Sequence, residues 1–177
     1  MSTLATAISR PQPGEYNSFY DRYISLVKSD DIVATLENQA SETIALLKSA
    51  APKAEFRYAP GKWSVKEVLG HLNDTERIMT YRALRIARGD KTPMAGFEQD
   101  DYIRSGNFGQ RTLADLIEEF AAVRQATLAF FRHVDAETSL RTGSANKNDI
   151  SVRALLFIIA GHELHHRSIL ADKYLRA

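Results

Sequence analysis

The chain has 177 residues, of which 44% are hydrophobic and 25% charged, with a formal net charge of +1 and no cysteine. That length suffices for one domain with a real core, and the even charge balance gives no electrostatic case for a nucleic-acid partner or an anionic membrane. Without cysteine there is no disulfide, no thiolate metal ligand and no thiol nucleophile.

Residues 1–14 are polar and close on Pro11, Pro13 and Gly14. They read as an N-terminal arm, disordered in part, with residues 15–177 forming the folded domain. The arm lacks the charged-then-apolar order of a signal peptide. No stretch approaches the roughly 20 apolar residues of a bilayer span, so no membrane partner and a cytoplasmic location are expected.

A short helical piece around residues 16–26 precedes a longer one over 31–48, where Ile32, Leu36, Ala40, Ile44 and Leu47 recur at helical spacing. The Pro- and Gly-containing stretch 51–61 breaks that period. A second helix starts at Ser64, followed by Glu67 in the order of a capping box. Its apolar stripe is Val65, Leu69, Leu72, Met79 and Ala83, and Gly89 ends it. Residues 89–110 show no sustained period and are long for a connection inside a compact domain. They read as a crossover along the bundle or a flap over a site. A third helix begins near Thr112 and carries Leu113, Leu116, Ile117, Phe120, Leu128 and Phe131. A polar, turn-rich loop over 139–149 leads to the last helix, which starts near Ser151 and runs almost to the end. No strand candidate matches these helices in strength. Four long amphipathic helices imply an all-α four-helix bundle with a short extra N-terminal helix and a long connection between helices two and three.

Five histidines are present. His162 and His166 lie about 40° apart on one helix face, in the same arc as Leu155, Ile159 and Leu170. Burying two imidazoles one turn apart is costly unless each finds a partner, and a shared metal ion supplies one, since neutral imidazole is a good ligand. The plainer alternative is two interior histidines hydrogen-bonded to other helices. A third ligand must come from elsewhere, and His71, in mid-helix beside Val68 and Leu72, is the best candidate. His133, at the end of helix three beside a polar loop, reads as exposed. His165 lies about 60° and 100° from the pair and reads as an edge residue or a contact supporting the ligands. Residues 162–166, HELHH, match the H-E-x-x-H pattern of zinc proteases. No ligand-bearing position follows, because Asp172 lies about 120° around the helix from His166. Glu163 therefore reads as a polar edge residue.

The stretches PGKWSVKEVLGHLNDTERIMTYRALRIARGD (60–90), GFEQDDY (96–102) and AGHELHHRSIL (160–170) resemble the DinB-like (DinB/YfiT-like) superfamily, over most of the chain from about Glu15 onward. The resemblance implies a four-helix bundle with a divalent metal at one end, held by His71, His162 and His166. It includes transferases and isomerases that use low-molecular-weight thiols such as bacillithiol or mycothiol, and many members without an assigned reaction.

Three histidines leave coordination positions open, the mark of a catalytic rather than structural metal. Nitrogen ligands suit one divalent transition metal: zinc, nickel, iron or cobalt. The expectation is a metal-dependent enzyme, a transferase or hydrolase activating a thiol cosubstrate or water for a small-molecule substrate. The alternatives are a non-catalytic metal-binding or stress-linked bundle and a purely structural bundle that mediates oligomerisation. A homodimer is compatible with a small bundle, though no sequence feature requires one. Glu76 and Arg124 are charges on apolar helix faces, read as a structural ion pair or stems reaching solvent on one hand and as ligand-supporting or substrate-orienting groups on the other. Trp63 and Tyr102 are pocket candidates or plain core aromatics.

Overall fold

The computed structural model describes residues 8–176. The first seven positions of the expected arm lie outside the described residues. From Ile8 onward the arm packs on the body: Ile8 and Pro11 are buried, and the Arg10 guanidinium donates to the carbonyls of Ile24 and Val27 at 3.2 and 2.7 Å. Glu15 accepts from Ser151 Oγ and Arg153 Nε, both at 2.7 Å.

A 3-10 turn, Ser18–Tyr20, leads into α1 (Asp21–Ile24). Next come α2 (Ile32–Ser49), α3 (Val65–Ala87), α4 (Gln99–Ser105), α5 (Leu113–Phe131) and α6 (Ala136–Ser139). A hairpin of β1 (Thr142–Ala145) and β2 (Asn148–Ser151) precedes α7 (Val152–Ile169), which continues as a π-type segment, Leu170–Leu175. The helix starts sit where side chains can cap them. Asp31, Ser64, Thr112 and Ser151 each accept a backbone N–H one turn on, and Ser64 and Glu67 form the reciprocal box.

The four long helices form the bundle. α3 packs against α5 and α7, and α2 packs against the same two, so α2 and α3, consecutive in sequence, do not sit side by side. The short α1 lies on α7. Gly161 makes that approach possible, because a Cβ there would stand 2.1 Å from the Tyr23 carbonyl oxygen.

One expectation needs correction. The polar loop over 139–149 contains the antiparallel hairpin, in register Thr142 with Ser151 and Ala145 with Asn148. Its strands are four residues long and nearly free of alternating hydrophobicity. Its two-residue turn, Asn146-Lys147, has φ of 50° and 62°, which two-residue hairpin turns of the left-handed type require. The connection 89–110 contains α4, and Met94 bonds to the hairpin through Ser144 O and Asn146 N, both at 2.9 Å. It is a folded wall along α3.

The core divides into two apolar clusters. One holds Leu36, Met79, Leu128 and Ile159; the other holds Leu47, Leu69, Phe120 and Leu170. Between them every long helix turns polar: Gln39 and Thr43 on α2, His71 and Glu76 on α3, Arg124 on α5, His162 and Glu163 on α7, all buried. Within this layer His71 falls in the second turn of α3 and His166 in the last turn of α7. No helix among the described residues is long and apolar enough to cross a membrane.

Candidate metal centre

His71 comes from the second turn of α3, held in place by the Ser64 cap and by Gly70. The Phe108 ring occupies the space that a Cβ on Gly70 would need. His162 and His166 come from one face of α7. Nε2 of His71 lies 2.9 Å from Nε2 of His162, and Nε2 of His166 lies 3.1 Å from the same atom. The three side chains offer ligand atoms all within 4.8 Å of one another. Tetrahedral ligands on an ion at about 2.0–2.1 Å would be about 3.4 Å apart, so the residues present fit such an ion. Hydrogen bonding alone fits less well. The single Nε2 of His162 faces two other ring nitrogens, and it has either one proton or one lone pair to offer.

Burial keeps these rings neutral. It lowers the pKa of His71 to about 4, against a smaller opposing pull from Asp100. It lowers that of His166 to about 3, helped by His71 and His165. His162 is pushed well below its usual value by burial and then by the other histidines. Neutral imidazoles with converging lone pairs are ready metal ligands.

Supporting contacts surround the cluster. Thr75 Oγ1 stands 3.4 Å from Nδ1 of His71, where it can accept a hydrogen bond from the ring's one N–H when Nε2 presents its lone pair. The Trp63 ring lies 4.9 Å from that of His71, and the Tyr23 ring stands edge-on to that of His162 at 5.2 Å. His165 is half-buried and contacts the rings of Tyr23 and His166. His133 is exposed.

Beside the histidines lies a buried charge network. Arg124, 0% exposed for the residue, donates through Nε and Nη2 to both oxygens of Glu76 at 2.9 and 2.8 Å. It also donates through Nη2 to Glu163 at 2.5 Å and through Nη1 to the Leu36 carbonyl at 2.9 Å. Thr43 Oγ1 donates to the other oxygen of Glu163. Glu163 is therefore not the edge residue expected from the sequence. It is 2% exposed, and burial raises its pKa even against the pull of Arg124. Its engagement with Arg124 and Thr43 removes the general base that the protease pattern would require. Glu76 and Arg124, both singled out from the sequence, belong to this network, which fixes the rotation of α3 and α7 next to their histidines.

A cavity of about 240 Å³ opens on His71 and His162. The 3-10 turn contributes Tyr20 and α1 Tyr23, α3 contributes Thr75, Met79 and Arg82, and the 89–110 wall contributes Phe97. A second cavity, of about 320 Å³, reaches His166 and is lined by Trp63, Asp100 and Tyr174. Tyr102 is 42% exposed and contributes to neither; its ring lies 5.2 Å from that of Phe97, tilted by 58°. Sequence reasoning missed Thr75, Tyr23, Gln39, Thr43 and Arg82. Thr75, one turn after His71, was open to the same helical arithmetic. Tyr23 was not, because its place depends on α1 crossing Gly161.

A sequence model of the DinB superfamily matches residues 35–170. No curated protein matches the chain. Among solved structures, YfiT from Bacillus subtilis is similar, with a TM-score of 0.71 and 16% identity over 85% of this chain and 89% of that one. YfiT is described as a probable metal-dependent hydrolase with an unusual four-helix bundle topology. At this identity the likeness concerns the fold.

Proposed function

The chain belongs to the DinB superfamily, and on that footing we propose that it is a metal-dependent hydrolase of a small molecule, with one divalent transition metal held by His71, His162 and His166. The convergence of three neutral Nε2 atoms, two of them on residues that line the cavity, His71 and His162, carries this reading. The description of YfiT as a hydrolase supports it.

Such an ion, when bound, supplies a Lewis acid that brings the pKa of a water, or of an incoming thiol, toward neutrality. The chain's own residues do the rest. Thr75 holds His71 with Nε2 turned to its partners. The Arg124 network fixes the helix faces that carry the ligands. Tyr23 and Trp63 shield the histidines from bulk solvent, and the Phe97 segment walls the substrate cavity.

The protein purified without an affinity tag should contain zinc, nickel or iron. The loaded protein should hydrolyse one of a panel of small p-nitrophenyl esters and anilides, and His71→Ala should remove that activity. Thiol transfer with bacillithiol, mycothiol or glutathione, without hydrolysis, would replace water by a thiol and leave the metal reading standing. Less than about a tenth of an equivalent of metal, with no uptake of added zinc or nickel, would overturn the reading.

A further inference from the structure

Arg82 sits on the same α3 wall of the cavity as His71, Thr75 and Met79. It is 4% exposed. Its hydrogen-bond partners among the described residues are neutral: Nη2 donates to the Ala95 carbonyl at 2.7 Å, and Nη1 lies 3.7 Å from Met79 Sδ. The other buried arginines each meet carboxylates, Arg124 with Glu76 and Glu163 and Arg153 with Glu15. A desolvated guanidinium without a counter-charge is expensive. Beyond these two contacts its fork of N–H groups, on the lining of the cavity, is suited to carboxylate or phosphate.

We propose that Arg82 binds the anionic group of the substrate, which is thereby a small carboxylate- or phosphate-bearing molecule with its reacting bond at the histidines. The inference rests on the hydrolase reading and names its substrate class. Eleven residues separate His71 from Arg82, roughly 16 Å along a helix. The contact with Met79 shows the guanidinium leaning back toward the helix start, as helical side chains do. Both groups therefore face one cavity. At about 240 Å³ that cavity is smaller than the roughly 300–1,000 Å³ of drug-sized sites, which suits a short metabolite. The Phe97 ring stands 5.8 Å from the guanidinium carbon and helps hold its plane. Glu98, at the exposed rim of the same cavity, forms no ion pair with Arg82. Burial also lowers the pKa of Arg82, with only Tyr20 and Tyr102 opposing it, so an incoming anion meets a cation that no carboxylate among the described residues pairs with.

Calorimetric titration with succinate and with inorganic phosphate, on zinc-loaded and metal-free protein, tests this directly, with neutral succinamide as the control. Wild-type protein should bind one of the anions and not succinamide, and the stronger anion identifies the headgroup. R82M should weaken that binding by about ten- to a hundredfold, the value of hydrogen bonds to a charged group. R82K should fall between, with zinc affinity unchanged in both. The metal-free arm reads Arg82 even if the histidines take up no metal, so failure of the metal reading remains distinct. A folded R82M that binds the anion as wild type does would overturn the proposal. If R82M does not fold, the wild type and R82K decide: no preference for either anion over succinamide, or R82K equal to wild type, overturns it.

Discussion

Nε2 of His71 lies 2.9 Å from Nε2 of His162, across 91 residues of sequence. The contact forms where α3 and α7 face each other in the polar layer between the two apolar clusters. A buried polar layer is stable only when its members satisfy one another. Arg124, Glu76, Glu163 and Thr43 do so. The histidines, held beside that network, offer one another only ring nitrogens, and an ion would complete them.

His71→Ala, His162→Ala and His166→Ala should each lower zinc affinity by more than about a hundredfold. That exceeds the 10–100-fold loss typical of a residue that only supports a ligand. Thr75→Val, which removes the acceptor near Nδ1 of His71, should fall within that smaller range. His133→Ala, at an exposed position, should bind zinc as wild type does. Competitive titration against a chromophoric chelator measures all five, and unchanged affinity in His162→Ala or His166→Ala would contradict the assignment.

Arg124→Met removes the guanidinium and leaves Glu76 and Glu163 facing each other in the core. Breaking one partner of a buried ion network costs about 3–5 kcal/mol, and urea denaturation should show a loss of that size. Glu76→Gln combined with Glu163→Gln in the Arg124→Met background should recover a large part of it, since no uncompensated charge remains. If the single and triple variants were equally unstable, lost packing rather than uncompensated charge would be the cause.

Much of this architecture was legible in the sequence because its signals are local. Ser64 with Glu67 and Thr112 with Asp115 mark helix starts within four residues, and His162 with His166 share a face by spacing alone. The rest depends on partners distant in sequence. On α2 the periodicity pointed to Ala40 and Ile44, but the buried positions between Leu36 and Leu47 are Gln39 and Thr43. These turn inward because Ala160 O and Glu163 on α7 accept their hydrogen bonds. The hairpin escaped notice because its register is held by backbone bonds to Met94 and by the Asn146-Lys147 turn, not by an alternating apolar pattern. Glu163 read as an edge residue because helical angles say nothing of an arginine waiting on another helix.

Gly161→Ala places a methyl group where the Tyr23 carbonyl oxygen would stand 2.1 Å away. The obstacle is backbone, so α1 must lift off α7. A cost of about 1–3 kcal/mol is expected for forced overpacking, or roughly 2–12 °C in Tm at about 2–4 °C per kcal/mol for a domain this size. Because Tyr23 stands edge-on to His162, zinc affinity should fall as well. Gly109→Ala, where a Cβ would meet nothing within 4 Å, is the control and should leave both quantities near wild type. A wild-type Tm for Gly161→Ala, read by differential scanning calorimetry, would show that α1 does not need this close approach.

The pair Glu15–Arg153 gives a pH signature. Burial pushes the Glu15 carboxyl up, but the Arg153 guanidinium and the Gln12 N–H outweigh it and hold the pKa below its usual range. A carboxyl with a depressed folded pKa contributes its full stability above the unfolded value of about 4.3. That contribution is lost as the pH falls through the lower folded value. Glu15→Gln should therefore cost about 1–2 kcal/mol at pH 7, where the charged hydrogen bonds to Arg153 exist. The gap between variant and wild type should narrow as the pH drops through the acid range. Histidine protonation destabilises both proteins alike at low pH and cancels in the difference. Urea midpoints at pH 7 and at about pH 3, below the ordinary carboxylate range, measure it. A gap of equal size at both values would mean that Glu15 acts through the shape of its contacts with Ser151 and Arg153 rather than through its charge.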